Sequence, residues 1–583
     1  MTLDQQVVPD LDATVRTWLD RLQSALRDGA AGATAELFHS DAWWRDLLAF
    51  TWDLRTAHGH QALAARITEA PRMGDVTFTL LDRPTLVEAG AEPWVQALFE
   101  FRTTVARGRG VLRLVERDGA WRAWTLLTAM DELIGHEERV GTRRPFDGVD
   151  GQARTWPEAR ERQREFTDGD PEVVIVGAGH SGLGLAARLG CLGVPTLVIE
   201  RHQRVGDGWR NRYDSLVLHD PVWYDHLPYL PFPPNWPVYT PKDKLADWLE
   251  FYAHAMELNV WTGSELTEAV REGDSWTLIV RRADGSQRTV RPRHLVLATG
   301  VSGTEPNMPE LPGADEYRGF VCHSSQFPHG VDFSGKKAVV VGTGNSGHDL
   351  AQELFDGGAE VTMIQRSPTY VVSLAGSAIA MTGLYEESGP PTDVADLLGA
   401  SFPFKCAPEM HQATTAAMAE HDKELLADLE KAGFLLTSGI NGTGALQLFL
   451  QRGGGYYINV GCSELIADGS IGLRSGVEAV RFTSTGLELS DGSTVDADVV
   501  VFATGYLGMR ETARRLLGDE VADRCGPVWG LDDEGELQGV WRRSGQDGLW
   551  FMGGNLAMAR FYGKFLALQI KAHQVGLLES RTR

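Results

Sequence analysis

Cysteine is scarce: Cys191, Cys322, Cys406, Cys462 and Cys525 are five in 583 residues, an odd number set far apart. They form neither a disulfide framework nor a CxxC pair that would carry a metal or electrons, so no metal site is expected and a reducing cytoplasm is the expected location. Basic charge is also in deficit. Lys and Arg number 55 against 79 Asp and Glu, a net charge of -24. A nucleic-acid surface needs clustered cations, and an anionic membrane repels this excess, so neither partner is expected. Long apolar runs are missing as well, and MTLDQQVVPDLD at the N-terminus lacks the basic and apolar blocks of a signal peptide. What is present is ordinary globular composition, 43% apolar and 23% charged, in a chain long enough for two to four domains.

The first 140 residues carry helical periodicity over 12–38, then the Trp-rich LFHSDAWWRDLLAFTWDL, then four alternating segments that read as strands. Asp118-Gly119 marks the hairpin turn between the last two. Helices followed by a curved antiparallel sheet form an α+β unit, whose pattern is similar to the ketosteroid-isomerase-like cone fold. His39, Asp41 and the Trp pair either line a small pocket or belong to the core. Residues 141–170 are polar with scattered Gly and Pro and read as a linker or a short surface helix.

Beyond the linker the chain contains two complete phosphate cradles, EVVIVGAGHSGLGL at 172–185 and AVVVGTGNSGHDL at 338–350. Each is followed by a hairpin tipped with Asp-Gly-Ser and a strand ending in Ala-Thr-Gly, HLVLATG at 294–300 and DVVVFATG at 498–505. The expected class is therefore α/β, with two Rossmann-like domains built on one plan and the second inserted in the first. The expected boundaries are 171–330 for the first part of the first domain, 331–497 for the second domain with an insertion at 376–460, and 498–583 for the return to the first.

In the first cradle Gly177 permits the tight turn, Gly179 admits the pyrophosphate and Gly182 lets helix and strand pack closely. The positive end of the following helix faces the phosphates. Glu200 ends the next strand, where a carboxylate accepts both hydroxyls of an unphosphorylated ribose, as in FAD. In the second cradle Gly342, Gly344 and Gly347 repeat the turn around Asn345 and Ser346. There Gln365 stands in place of the acid, and Arg366 and Ser367 suit the 2′-phosphate of NADP(H). The alternative for Arg366 is a surface ion pair. Together the cradles imply FAD and its hydride donor NADPH in one chain, and without a cysteine pair the electrons pass to a small molecule.

Between the cradles EYRGFVCHSSQF, residues 316–327, places Tyr317, Gly319, His323 and Phe327 in the flavin-containing monooxygenase fingerprint [FY]xGxxxHxxx[FY]. With both turns, GDGWRNRYDSLVLHDP at 206–221 and ATGY at 503–506, the sequence resembles the class B flavin monooxygenases over roughly residues 171–575. The LHxP form around His219 is similar to the YUCCA-type branch, whose members oxidatively decarboxylate a 2-oxo acid. Phe327 stands where the related Baeyer-Villiger enzymes usually carry Trp.

The resemblance implies that NADPH reduces FAD, NADP⁺ stays bound, and oxygen adds at flavin C4a to give a hydroperoxide that oxygenates a small organic substrate. Heteroatom oxygenation and decarboxylation of a 2-oxo acid are both compatible with this. A Baeyer-Villiger enzyme and a redox-sensing flavin protein are the alternatives. The resemblance also assigns Gly208, Trp209, Thr299, Gly300, Thr504, Gly505 and Tyr506 to cofactor binding, and His219 and Asn555 to the catalytic centre. His219 is read either as a flavin neighbour or as a core histidine bonded to backbone, His323 as a tie between loops, and Tyr456 and Tyr457 as packed rings or substrate contacts. The partners expected are the small substrate and dioxygen, with a homo-oligomer left open. Removal of residues 1–140 is expected to leave FAD bound.

Overall fold

The computed structural model describes residues 10–70, 74–88, 92–145, 155–300 and 305–579. The N-terminal stretch 1–9 and part of the expected linker, 146–154, lie outside the described residues.

The expected first helix ends earlier than its periodicity suggests, because Gly29 adopts a left-handed conformation with φ 62° and caps Leu11–Asp28. The Trp-rich segment that follows is a strand, Phe38–Leu47. Apolar residues on both of its faces hide the two-residue period, since one face meets helices and the other meets the rest of the protein. This strand pairs antiparallel with Leu54–His58 and parallel with Ala120–Leu133, so the expected antiparallel sheet contains one parallel ladder. Ala106–Arg117, Trp94–Arg102, Thr77–Leu80 and Thr85–Val87 complete seven strands. At the hairpin tip Asp118 and Gly119 both have positive φ, 55° and 70°, the pairing a tight primed turn requires. The helices Leu11–Asp28 and Gly59–Glu69 bury Trp18, Leu22, Leu63 and Ile67 against one face of this sheet.

Two parallel five-stranded sheets follow. The first orders its strands Val260–Trp261, Thr196–Ile199, Val173–Val176, His294–Leu297 and Leu549–Phe551. The second orders Phe320–His323, Val499–Phe502, Lys337–Val341, Glu360–Gln365 and Gly472–Ser475. Two placements therefore differ from the expected boundaries. Phe320–His323 and the Ala-Thr-Gly strand Val499–Phe502 both join the second sheet, and the chain returns to the first only at Leu549–Phe551. Equivalent strands of a repeat occupy equivalent places in their own sheets, so the second Ala-Thr-Gly strand completes the second sheet.

The repeat extends to its hairpins. Asp284 accepts from the backbone and hydroxyl of Ser286, and Asp491 does the same from Ser493.

The 376–460 segment is mainly helical, including Thr392–Ala400, Pro408–His421, Lys423–Lys431 and Gly444–Arg452. It ends in the strand Tyr456–Asn459, paired parallel with Tyr370–Ser373. The long helix Leu556–Gln574 then packs on the first cradle's helix His180–Cys191.

Candidate functional site

Both glycine turns are held by steric necessity. A Cβ on Gly177 would lie 2.5 Å from the Ala298 carbonyl oxygen, and one on Gly182 would lie 2.0 Å from that of Gly177. The second turn repeats this: Gly342 would meet Ala503 at 2.4 Å and Gly347 would meet Gly342 at 2.2 Å. Gly177 and Gly342 also have φ of 109° and 116°, which side chains rarely adopt. The middle glycines are different. Nothing lies within 4 Å of a Cβ on Gly179, and only the Tyr456 oxygen, at 3.9 Å, approaches one on Gly344. Open space thus lies where the phosphates of a dinucleotide would approach, and neither helix start has a side-chain cap. Uncapped amides facing open space are suited to a phosphate ligand.

Glu200 is 8% exposed, and its two oxygens accept from the amides of Ala178 and His202, each at 2.8 Å. A carboxylate has four acceptor positions, so lone pairs remain for a ribose. Thr299 sits beside Gly177, and its hydroxyl is buried with no partner among the described residues. A buried hydroxyl of this kind suits a site shaped for a polar ligand. Gly208 is open, and Trp209 lies 6.3 Å from the His180 ring. His180 itself reaches the Gly554 carbonyl through Nε2 at 3.0 Å, and burial pushes its pKa down. The glycine turn is thereby tied to the start of Leu556–Gln574, a contact the motif alone did not reveal.

At the second cradle Gln365 is fully buried, and its amide donates to and accepts from the Leu435 backbone at 2.9 and 2.8 Å. A carboxylate cannot donate, so docking of the 376–460 segment accounts for the amide as well as nucleotide choice does. Asn345 likewise accepts from the Ile458 amide at 2.9 Å. Arg366 and Ser367 are exposed; the guanidinium is 76% exposed and 3.8 Å from Glu478, a loose surface pair. Gly300, at the end of the first Ala-Thr-Gly strand, has φ 89°. Thr504 and Asn307 exchange hydrogen bonds, and Gly505 accepts from His323 Nε2 at 2.9 Å. The other His323 nitrogen meets the Ser325 hydroxyl, so this imidazole ties loops together. Tyr506 lies 5.1 Å from the same ring with its hydroxyl buried and without a partner among the described residues.

His219 and Asn555 come from distant parts of the chain and are joined by one segment. Tyr213 donates to Asp349, while Ser215 donates to Glu353 on the same second-cradle helix, Asn345–Asp356. His219 interacts electrostatically with both Asp349 and Asp220. Asn555 caps Leu556–Gln574 by accepting from Met558, and its amide lies 3.4 Å from Asp220 and 3.3 Å from the Tyr224 hydroxyl. The segment 213–224 therefore runs from one cradle's helix to the helix beside the other. Burial holds the Asp220 and Tyr224 pKa values up, Tyr224 by more than Asp220's charge adds. Asp225 is fully buried, neither of its oxygens has a hydrogen-bond partner among the described residues, and burial and Asp220 together raise its pKa well above the carboxylate range. Burial works against the charge of Arg560, but the pair with Asp396 sustains it. Tyr456 is half-buried and feels the Asp220 charge, whereas Tyr457 is fully buried and stacks on His348 at 3.8 Å.

Among the described residues no group of three His, Cys, Asp or Glu side chains is placed to hold a metal ion, and no helix is long and apolar enough to cross a membrane.

Comparison with known proteins agrees with this geometry. The family described as pyridine nucleotide-disulphide oxidoreductase matches residues 174–375, the stretch holding both glycine turns. All five cysteines are free. Indole-3-pyruvate monooxygenase YUCCA1 of Oryza sativa subsp. japonica is 32% identical over 356 residues, 60% of this chain and 79% of that protein. YUCCA4 of the same organism is 31% identical over 354 residues, 58% and 74% of the two chains. A solved structure of OTEMO in complex with FAD and NADP shares the fold, with a TM-score of 0.52 at 18% identity over 70% of this chain and 85% of that one. The chain belongs to the flavin monooxygenase family.

Proposed function

We propose that this protein is an NADPH- and FAD-dependent monooxygenase that transfers one oxygen atom from dioxygen to a small organic substrate. The observation that carries the reading is the 213–224 segment, which links the helix of one uncapped cradle to the residue capping the helix beside the other. Two nucleotides seated on those cradles would approach each other along it. FAD, when bound, supplies the chemistry of hydride acceptance and oxygen activation.

The chain's own residues bind and orient. Gly177, Gly179 and Gly182 with Glu200 and Thr299 hold the flavin nucleotide; Gly342, Gly344 and Gly347 with Asn345, Ser346, Arg366 and Ser367 hold NADP(H). Gly208, Trp209, Gly300, Thr504, Gly505 and Tyr506 line the approaches. His219 and Asn555 face the centre, where an imidazole and an amide can each donate a hydrogen bond to a reacting group. The 376–460 segment covers the second cradle and keeps water out. The finer assignment is to the YUCCA-like branch, supported by LHDP at 218–221 and by the relatives' activity on indole-3-pyruvate. We read the N-terminal sheet as cone-like, supported by the long helix Leu11–Asp28 packed across it.

Isotopic oxygen tests the function. With ¹⁸O₂, NADPH and either a thioether or a 2-oxo acid, one labelled atom should enter the organic product. NADPH consumption that yields only hydrogen peroxide with both substrate classes would refute it.

A further inference from the structure

The first 140 residues do not hang from the catalytic unit; they share its core. Leu47, Val111, Leu127 and Met130 of the N-terminal sheet belong to the same buried cluster as Leu397, Trp541, Tyr562 and Phe565. Charges are buried in the same seam. Arg45 is fully buried and grips Glu536 through two bonds of 2.7 Å, while its third nitrogen donates to the Ala400 carbonyl at 2.9 Å. Excising residues 1–140 would strip Glu536 of this partner and expose the C-terminal helix, so a flavin-binding remnant is not expected to survive.

Arg113 is the more unusual group. It is 1% exposed and has no carboxylate partner among the described residues, and burial pushes its pKa down to about 9. A buried cation without a counterion is costly and persists only where its position is used. Its guanidinium lies over the Phe402 ring at 3.7 Å and donates to the Ser401 hydroxyl at 2.7 Å, to Gln96 and to Thr125. Ser401 is the C-cap of helix Thr392–Ala400 and passes the bond on to Leu398. Arg45 and Arg113 thus both meet the negative end of this one helix, where cations and groups that donate to its unpaired carbonyls are favoured. At its other end Arg109 donates to Asp393 at 2.7 Å.

The same helix carries Asp396, which accepts from Arg560 Nε and Nη2 at 2.9 and 2.6 Å and from the Tyr385 hydroxyl. Arg560 in turn holds the carbonyls of Tyr224 and His226, each at 2.7 Å, and the Tyr224 hydroxyl meets Asn555. The path from the N-terminal sheet to the proposed catalytic centre is therefore continuous and made of directional bonds. We propose that the N-terminal unit is a positioning clamp: Arg113 and Arg45 fix helix Thr392–Ala400, so that Asp396 and Arg560 keep Tyr224 and Asn555 in place. Both arginines are positioning residues and touch no reacting atom.

The test uses the full-length, FAD-loaded protein with Arg113→Met, which fills the space without burying an unpaired charge, and Arg113→Lys, which keeps the charge without the fork. Amide hydrogen exchange of residues 392–401 and 222–226 should speed up at least tenfold in Arg113→Met and less in Arg113→Lys, while FAD content stays the same. This readout does not rest on the monooxygenase reading. Hydrogen peroxide formed per NADPH, which does rest on it, should rise in the same order. If Arg113→Met fails to fold, Ser401→Ala removes the acceptor instead and should give the same exchange pattern. Unchanged exchange at 222–226 in a folded variant, or faster exchange confined to the N-terminal sheet, would overturn the clamp.

Discussion

The two cradles share a backbone to within the clashes their glycines avoid, yet they treat charge in opposite ways. The first is buried: Glu200 is tied to two backbone amides, and Asp220, Asp225, Asp396 and Arg560 crowd the neighbouring helix start. The second leaves Arg366, the cation proposed to read the 2′-phosphate, at the surface and loosely paired, and spends its buried polar groups, Gln365 and Asn345, on holding the 376–460 segment. A tightly held prosthetic nucleotide and an exchangeable one call for this division. On the proposed assignment, the buried site would specify one resident ligand and the exposed site would let its ligand come and go.

The two cradles are most sensitive at their packing glycines. Gly182→Ala places a methyl 2.0 Å from a backbone oxygen that cannot turn aside, and Gly347→Ala does so at 2.2 Å. Each overpacks its turn by ~1–3 kcal/mol. Gly182→Ala should purify without yellow colour; Gly347→Ala should keep FAD but lose NADPH-driven bleaching. Loss of FAD from both would mean that the cradles do not act separately.

Gln365→Glu removes the donor to the Leu435 carbonyl and buries a carboxylate, at a cost of about 1–3 kcal/mol for the unpaired group. Limited proteolysis should cut within 376–460 faster, and NADPH binding should weaken more than FAD binding.

Arg366→Ala should lower the preference for NADPH over NADH tenfold to a hundredfold at low salt, since charge-assisted bonds are worth ~1.5–3 kcal/mol. With the guanidinium 76% exposed, screening should bring the effect toward the lower figure at physiological ionic strength. A salt-independent change in the ratio of kcat/KM values would place the phosphate elsewhere.

The smallest effect sharpens the contrast. Burial, then Asp220, raises the folded-state pKa of Asp225, with Arg560 opposing. An acid raised in the folded state costs stability as pH climbs from its unfolded value, about 4, through its folded value. Asp225→Asn should therefore raise Tm by roughly 1–2 °C at pH 8 and leave it unchanged near pH 4. Equal shifts at both pH values would show that packing, not charge, sets the difference.

The cradles were legible because glycine is demanded there by sterics that act over a few residues. Glu200 and Arg366 were legible as strand-end residues at a fixed distance from those turns. The docking role of Gln365 was not, because its partner Leu435 is 70 residues away; Asn345 and Ile458 are 113 apart. The strand Phe38–Leu47 was hidden by apolar side chains on both faces, and the burial of Arg113 and Arg45 had no local signature at all. The place of Val499–Phe502 in the second sheet was obscured by its likeness to His294–Leu297, which the repeat itself creates.

One chain is expected to seat two different dinucleotides on its two cradles. Calorimetric titration of the FAD-loaded protein with NADP⁺ and with NAD⁺, following flavin release in the same samples, tests it most directly. One NADP⁺ site per flavin is expected, with NAD⁺ at least tenfold weaker and no FAD released by either. Displacement of FAD by NADP⁺, or equal affinity for the two nucleotides, would contradict it.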